Sequence, residues 1–262
     1  MTEGLEAVLF DYGHTLIYFD EQPHAALHDA YENVNHLLAT ALSREVPAAE
    51  VLIENISLAV DAAIQRDYAA GRVEEVQIAT VYDTALRALG LVVAPEVIER
   101  VMEMEQDGWL NSVHVGPDVI ATLAHLRTTG LRLGIVSNAA YRPRLMQRQV
   151  ATLGLARYFD SLTFSSEVGL RKPHPAIYQD ALAKLRVAPG RTLFVGDRLK
   201  EDVRGPQALG MRAVLLREWR RDNESEGADY VIDRLGQLPA IVDGLPHKSA
   251  PSGTYNGVTS PE

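Results

Sequence analysis

Ala7-Val8-Leu9-Phe10-Asp11-Tyr12-Gly13-His14-Thr15-Leu16 is the stretch whose reading decides the fold. Its first four residues form an unbroken apolar run. Strands with one wet face alternate apolar and polar residues, whereas strands covered on both faces of a parallel sheet read as continuous runs. An acid follows at once, so the strand delivers Asp11 to its carboxyl end, where open α/β sheets bind ligands. Similar runs recur at Leu131 to Val136, Leu162 to Phe164, Thr192 to Val195 and Ala213 to Leu216, with Tyr230-Val231-Ile232 as a short edge strand. Helical patterns separate them. From Pro117 to Thr129, Val119, Ile120, Leu123 and Leu126 share a face, Pro117 suits the first turn and Gly130 the stop. Pro175 to Leu185 and Glu201 to Leu209 read as further helices. This alternation predicts an α/β fold with a doubly wound parallel sheet.

Residues 17–113 read differently. His24 to Leu42, Ala49 to Ala70, Ile78 to Leu89 and Pro95 to Trp109 are amphipathic helical patterns punctuated by Gly71, Gly90 and Pro95, with no comparable strand run. The expected organisation is an α/β core of residues 1–16 and 114–245, an inserted helical unit of residues 17–113, and a disordered tail of residues 246–262. The tail is rich in Ser, Pro, Gly and Thr and poor in apolar residues.

The bulk composition narrows function by exclusion. With 47% hydrophobic and 23% charged residues, the 262-residue chain can bury a sizeable core. A net charge of −10 argues against broad nucleic-acid binding, which needs a basic footprint. The absence of cysteine removes disulfides, thiol nucleophiles and thiolate-bound zinc. No basic, apolar leader opens the chain and no apolar run is long enough for a membrane span, so a cytoplasmic protein without membrane partners is expected.

Four places at predicted strand ends carry chemistry. Asp11 is followed by Gly13 and His14; an acid and a glycine there are also ordinary turn chemistry. Ser137-Asn138 follows Gly134-Ile135-Val136, where the pair could equally cap a helix. Lys172 lies in Gly169-Leu170-Arg171-Lys172-Pro173-His174-Pro175, whose prolines stiffen the backbone around it. Asp197, Glu201 and Asp202 follow Val195-Gly196; acids suit a solvated helix start, but paired carboxylates at a strand end also suit a hard, oxygen-seeking cation.

Taken in order, an Asp, a Ser, a Lys and an Asp pair on successive strand ends resemble the haloacid dehalogenase superfamily of phosphohydrolases. The resemblance covers nearly the whole chain, with the helical insert similar to the family's α-helical cap. It implies Asp11 as a nucleophile forming an aspartyl-phosphate, and Ser137 and Lys172 as ligands of the transferring phosphoryl group, with Asn138 and His14 beside them. It also implies a Mg²⁺ held by Asp11, the Gly13 carbonyl, Asp197 and Asp202. The implied substrate is a small phosphorylated metabolite, and the implied assembly a monomer or homodimer. Phosphoryl transfer depends mainly on positioning and charge stabilisation, which this set of residues supplies.

One departure stands out. Family phosphatases carry a second Asp two residues after the nucleophile, as acid toward the leaving group and then base toward water; here that position is Gly13. The carbonyl survives for a metal, but proton transfer worth about 10²–10⁴-fold in rate does not. His14, Asp20, His24 and His28 are candidate substitutes. His24, His28, Arg66, Tyr68 and Arg72 are polar candidates for substrate choice. The alternative is a catalytically impaired protein that keeps a phosphate and magnesium site. A dehalogenase has no need of the acid pair at Asp197 and Asp202. A phosphonate-cleaving relative needs a cap lysine, and the chain's four lysines, Lys172, Lys184, Lys200 and Lys248, all lie outside residues 17–113.

Overall fold

The computed structural model describes residues 4–20, 27–219 and 225–246. Six parallel strands form one sheet in the order β5-β4-β1-β6-β7-β8. They are β1 (Ala7–Phe10), β4 (Arg132–Ser137), β5 (Ser161–Phe164), β6 (Thr192–Gly196), β7 (Arg212–Leu216) and β8 (Tyr230–Ile232). Strand β1 is central, with Phe10 paired to Ile135 on β4 and to Val195 on β6. That position explains its unbroken apolar run. Val8 and Phe10 pack on one face with Leu123 and Leu126 of α6 (Val119–Thr128), while Ala7 and Leu9 pack on the other with Ile177 and Ala181 of α9 (Pro175–Leu185). Gly134 lets strands approach closely, because a Cβ there would lie 2.7 Å from Ser161 Oγ and 2.8 Å from Leu9.

From β1 the chain crosses to β4 and β5 on one side, then returns to β6, β7 and β8 on the other. The order reverses at β1, so the carboxyl ends of β1, β4 and β6 frame the crevice of a doubly wound sheet.

The helical segment contains α1 (His28–Leu42), α2 (Ala49–Leu52), α3 (Leu58–Ala69), α4 (Ile78–Ala88) and α5 (Pro95–Leu110). A π-helical stretch, Ile53–Ser57, joins α2 to α3. These helices bury a core of their own, including Tyr31, Leu38, Ile56, Tyr82, Leu86 and Met102. Helix α5 also meets α7 (Pro143–Thr152) of the sheet region, where Arg144 and Arg148 pair with Glu103 and Asp107.

Two features depart from the sequence expectations. Residues 17–113 are not purely helical at their ends: β2 (Ile17–Phe19) and β3 (Val113–Val115) form an antiparallel ribbon. Strand β2 begins at the expected 16/17 boundary, and β3 spans the expected 113/114 boundary. Strands of three residues are too short to show a periodicity of their own. The helix expected over Glu201 to Leu209 begins earlier, as a π-helical stretch Leu199–Arg204, before α10 (Gly205–Ala208). The expected tail, apart from Pro246, lies outside the described residues, as does His24.

Candidate active site

Asp11, Ser137 and Lys172 converge at the carboxyl end of the sheet. Asp11 follows β1 and its backbone N–H is held by Val195 O of β6 at 2.8 Å. Ser137 ends β4 and is buried. Lys172 Nζ donates to Asp11 Oδ1 at 2.5 Å and to Asp202 Oδ1 at 2.7 Å, with all three side chains buried. A buried ammonium between two carboxylates satisfies the rule that buried charge must be paired. Burial works against the lysine's charge, but Asp11 and Asp202 outweigh it and raise its pKa.

Asp197 completes the cluster: Asp11, Asp197 and Asp202 each offer a carboxylate oxygen within 4.8 Å of the others. Burial, then the charges of Asp11 and Asp202, push Asp197 up to about 8. Burial also raises Asp202 to about 6, against the pull of Lys172. Three acids around one lysine leave excess negative charge, which a hard cation would neutralise. Asp202 has both oxygens engaged, because its Oδ2 accepts from the Arg198 backbone N–H at 2.9 Å. Gly196 makes room for it, since a Cβ there would overlap the Asp202 carboxylate.

Asn138 lines the cavity beside this cluster, and its amide holds the Lys172 backbone at both ends. Its Oδ1 accepts from Lys172 N–H at 2.7 Å and its Nδ2 donates to Lys172 O at 3.2 Å. Asn138 therefore fixes the lysine's backbone while lining the cavity. The peptide bond that follows, Lys172-Pro173, is cis.

A cavity of about 320 Å³ opens between the strand ends and the helical segment. Asp11, Gly13, His14, Ser137, Asn138 and Lys172 line it. His14 has a positive φ of 58° and sets its ring edge-on to Phe19, with centroids 5.6 Å apart. Burial and the nearby Arg198 lower its pKa, so it holds a proton poorly. Two of the other expected acid substitutes sit elsewhere. Asp20 pairs with His114 at 2.8 Å and His28 with Glu50 at 2.9 Å; neither lines the cavity. Of the expected substrate-choice residues, Tyr68 lines it, while Arg66 and Arg72 are exposed.

Several lining residues escaped the sequence reading: Glu75, Gln106, Trp109, Gln149 and Arg198. Glu75 is buried, accepts from Ser165 Oγ, and has its pKa raised by burial. Gln106 and Trp109 stand one turn apart on α5, Gln106 buried and Trp109 partly buried. The helix pattern alone carried no signal of which residues would face the cavity.

Parallel α/β topology and a lysine-bridged cluster of carboxylates at the switch point mark a hydrolase site built for anionic substrates. A family model described as haloacid dehalogenase-like hydrolase matches residues 5–210, and the chain belongs to that family. It is 31% identical over 169 residues to a protein named glyceraldehyde 3-phosphate phosphatase from Methanopyrus kandleri, covering 63% of this chain and 72% of that protein. The crystal structure of an HAD phosphatase from Thermococcus onnurineus matches 92% of this chain and 100% of that one, with a TM-score of 0.62 and 27% identity. A 2-haloacid dehalogenase from Pseudomonas syringae pv. Tomato DC3000 matches 91% of this chain and 98% of that one, with a TM-score of 0.68 and 24% identity. This last likeness is one of fold.

Proposed function

We propose that the chain is a magnesium-dependent phosphatase that hydrolyses the monoester of a small phosphorylated metabolite through an aspartyl-phosphate on Asp11. The observation that carries this reading is the ion-paired chain Asp11–Lys172–Asp202, with Asp197 beside it, whose Asp11 and Lys172 line a cavity together with Ser137. The similarity to a protein named as a phosphatase supports it.

An Asp11 carboxylate oxygen attacks phosphorus, and the bond from phosphorus to the leaving oxygen breaks with its electron pair on that oxygen. Water then cleaves the acyl phosphate, releasing inorganic phosphate and restoring Asp11. Lys172 offsets charge on the phosphoryl oxygens while keeping Asp11 in place, and the Ser137 hydroxyl donates to one of them. The clustered acids suit Mg²⁺: Asp11, Asp197 and the Gly13 carbonyl would hold it, and Asp202 would brace Lys172 from behind. When bound, the ion supplies charge neutralisation for the transferring group. Residues 17–113 would act as a cap that excludes water from the cavity.

Purified protein with Mg²⁺ should release phosphate from para-nitrophenyl phosphate or acetyl phosphate, and Asp11→Asn should not. No turnover across a broad phosphate panel, with Mg²⁺ still bound, would leave the catalytically impaired reading instead. The missing acid has its own test. Gly13 has no positive φ, and a Cβ there would meet nothing closer than 3.9 Å, so steric need does not explain the glycine. Gly13→Asp should therefore fold and raise turnover of poor-leaving alkyl phosphates by about 10²-fold, with a smaller gain on para-nitrophenyl phosphate. Equal gains on both would show that proton donation was not what Gly13 lacked.

A further inference from the structure

The two sides of the cavity differ in charge. Among the described lining residues, the cations are Lys172 and Arg198, and both come from the sheet region. Lys172 is committed to Asp11 and Asp202, and Arg198 lies over the Tyr68 ring at 5.4 Å. The helical segment brings Asp61, Glu75 and Gln106 to the opposite side, together with apolar Ile64 and Trp109. It brings no cation to the cavity among the described residues. Gln106 is 6% exposed, and its Oε1 has no hydrogen-bond partner among the described residues. A buried carbonyl oxygen in that state favours a donor.

A phosphate ester reaching Asp11 directs its phosphoryl end to the sheet side, so its leaving group meets the helical side. From this charge asymmetry we infer that the site selects esters whose leaving group is uncharged or cationic and carries a hydrogen-bond donor for Gln106. Leaving groups bearing a carboxylate or a second phosphate are rejected, because among the described residues no helical-segment cation receives them and Asp61 opposes them. The inference rests on the phosphatase reading, whose site it specifies further.

Three probes of nearly equal size separate the cases: phosphoethanolamine, 2-hydroxyethyl phosphate and phosphoglycolate. They are measured as competitors of para-nitrophenyl phosphate turnover by the Mg²⁺-loaded wild-type protein. The first two should compete with apparent Ki values about tenfold or more below that of phosphoglycolate. Gln106→Arg, which adds a cation to the helical side, should close or invert that gap. An equal or lower Ki for phosphoglycolate on the wild-type protein overturns the inference, whether or not the variant folds. If para-nitrophenyl phosphate is not turned over at all, the phosphatase reading fails instead. Titration of the same three ligands onto Asp11→Asn by calorimetry then still decides the charge preference, with weakest binding of phosphoglycolate as the supporting result.

Discussion

Two buried carboxylates, Asp202 behind the strand ends and Glu105 inside the helical segment, face the same physical problem and solve it differently. Asp202 is fully buried and meets a cation, Lys172, at 2.7 Å. Glu105 is 1% exposed and meets no cation among the described residues: Tyr31 Oη donates at 2.5 Å, Tyr82 Oη at 2.7 Å, Ser57 Oγ at 2.9 Å and Trp109 Nε1 at 3.4 Å. The lysine serves two acids and stands beside a third, so that cluster remains rich in negative charge and has work for a further cation. Glu105 is satisfied by neutral donors from α1, α4, α5 and the π-helical stretch, and ties those elements together. The contrast shows that burial of an acid is not in itself a sign of chemistry. What distinguishes the strand-end group is surplus charge that faces a cavity.

The sharpest way to break this contrast is to remove the cation. Lys172→Met should cost about 3–5 kcal/mol of stability by denaturant titration, because Asp11 and Asp202 are left buried and uncompensated. It should also abolish phosphatase turnover. Adding Asp202→Asn should return part of the stability but none of the activity. An unchanged unfolding midpoint in the single variant would mean that the acids do not depend on Lys172.

The Glu105 cluster should respond more mildly and without a catalytic signature. Glu105→Ala strands three hydroxyls and an indole N–H, and should cost about 2–3 kcal/mol, while Glu105→Gln keeps an acceptor and should cost about 1 kcal/mol. Its pH dependence has a definite sign. Burial raises the Glu105 pKa despite the donors around it. The native state therefore binds the proton more tightly than the unfolded chain. That contribution to stability is fully present below the unfolded value of about 4.3, and is lost as pH rises through the raised native value. Wild-type stability should carry this downward slope with rising pH, and Glu105→Gln should lack it. Identical pH profiles for the two proteins would show that Glu105 does not titrate differently on folding.

Much of the site was legible because the chemistry sits at strand ends. Buried strands announce themselves as apolar runs, and the residue just after each run is placed by the strand itself. Asp11, Ser137 and Asp197 were found in that way. Lys172 came from its proline-flanked loop and from the resemblance. The cavity's far wall was not legible by this route. Its residues come from helix faces and from the segment leading into α4, and one polar residue on an amphipathic helix looks much like another until the partner surface is known. His28 and Asp20 were reasonable candidates on type alone, yet their side chains pair with Glu50 and His114 away from the cavity.

What the sequence by itself determined is the architecture: continuous apolar runs set the parallel sheet, periodic stripes set the helices, and the order of acids, serine and lysine along the chain set the family. These are local patterns, readable because side-chain periodicity follows backbone geometry. Only the tertiary structure decided which acid is matched by a cation and which by hydroxyls. Both decisions pass through π-helical stretches, Ile53–Ser57 carrying Ser57 to Glu105 and Leu199–Arg204 carrying Asp202 to Lys172. A π turn departs from the ordinary helical repeat and alters which side chains face inward. Which partner then lies within hydrogen-bond reach depends on elements distant in sequence, and no periodicity within the segment encodes that.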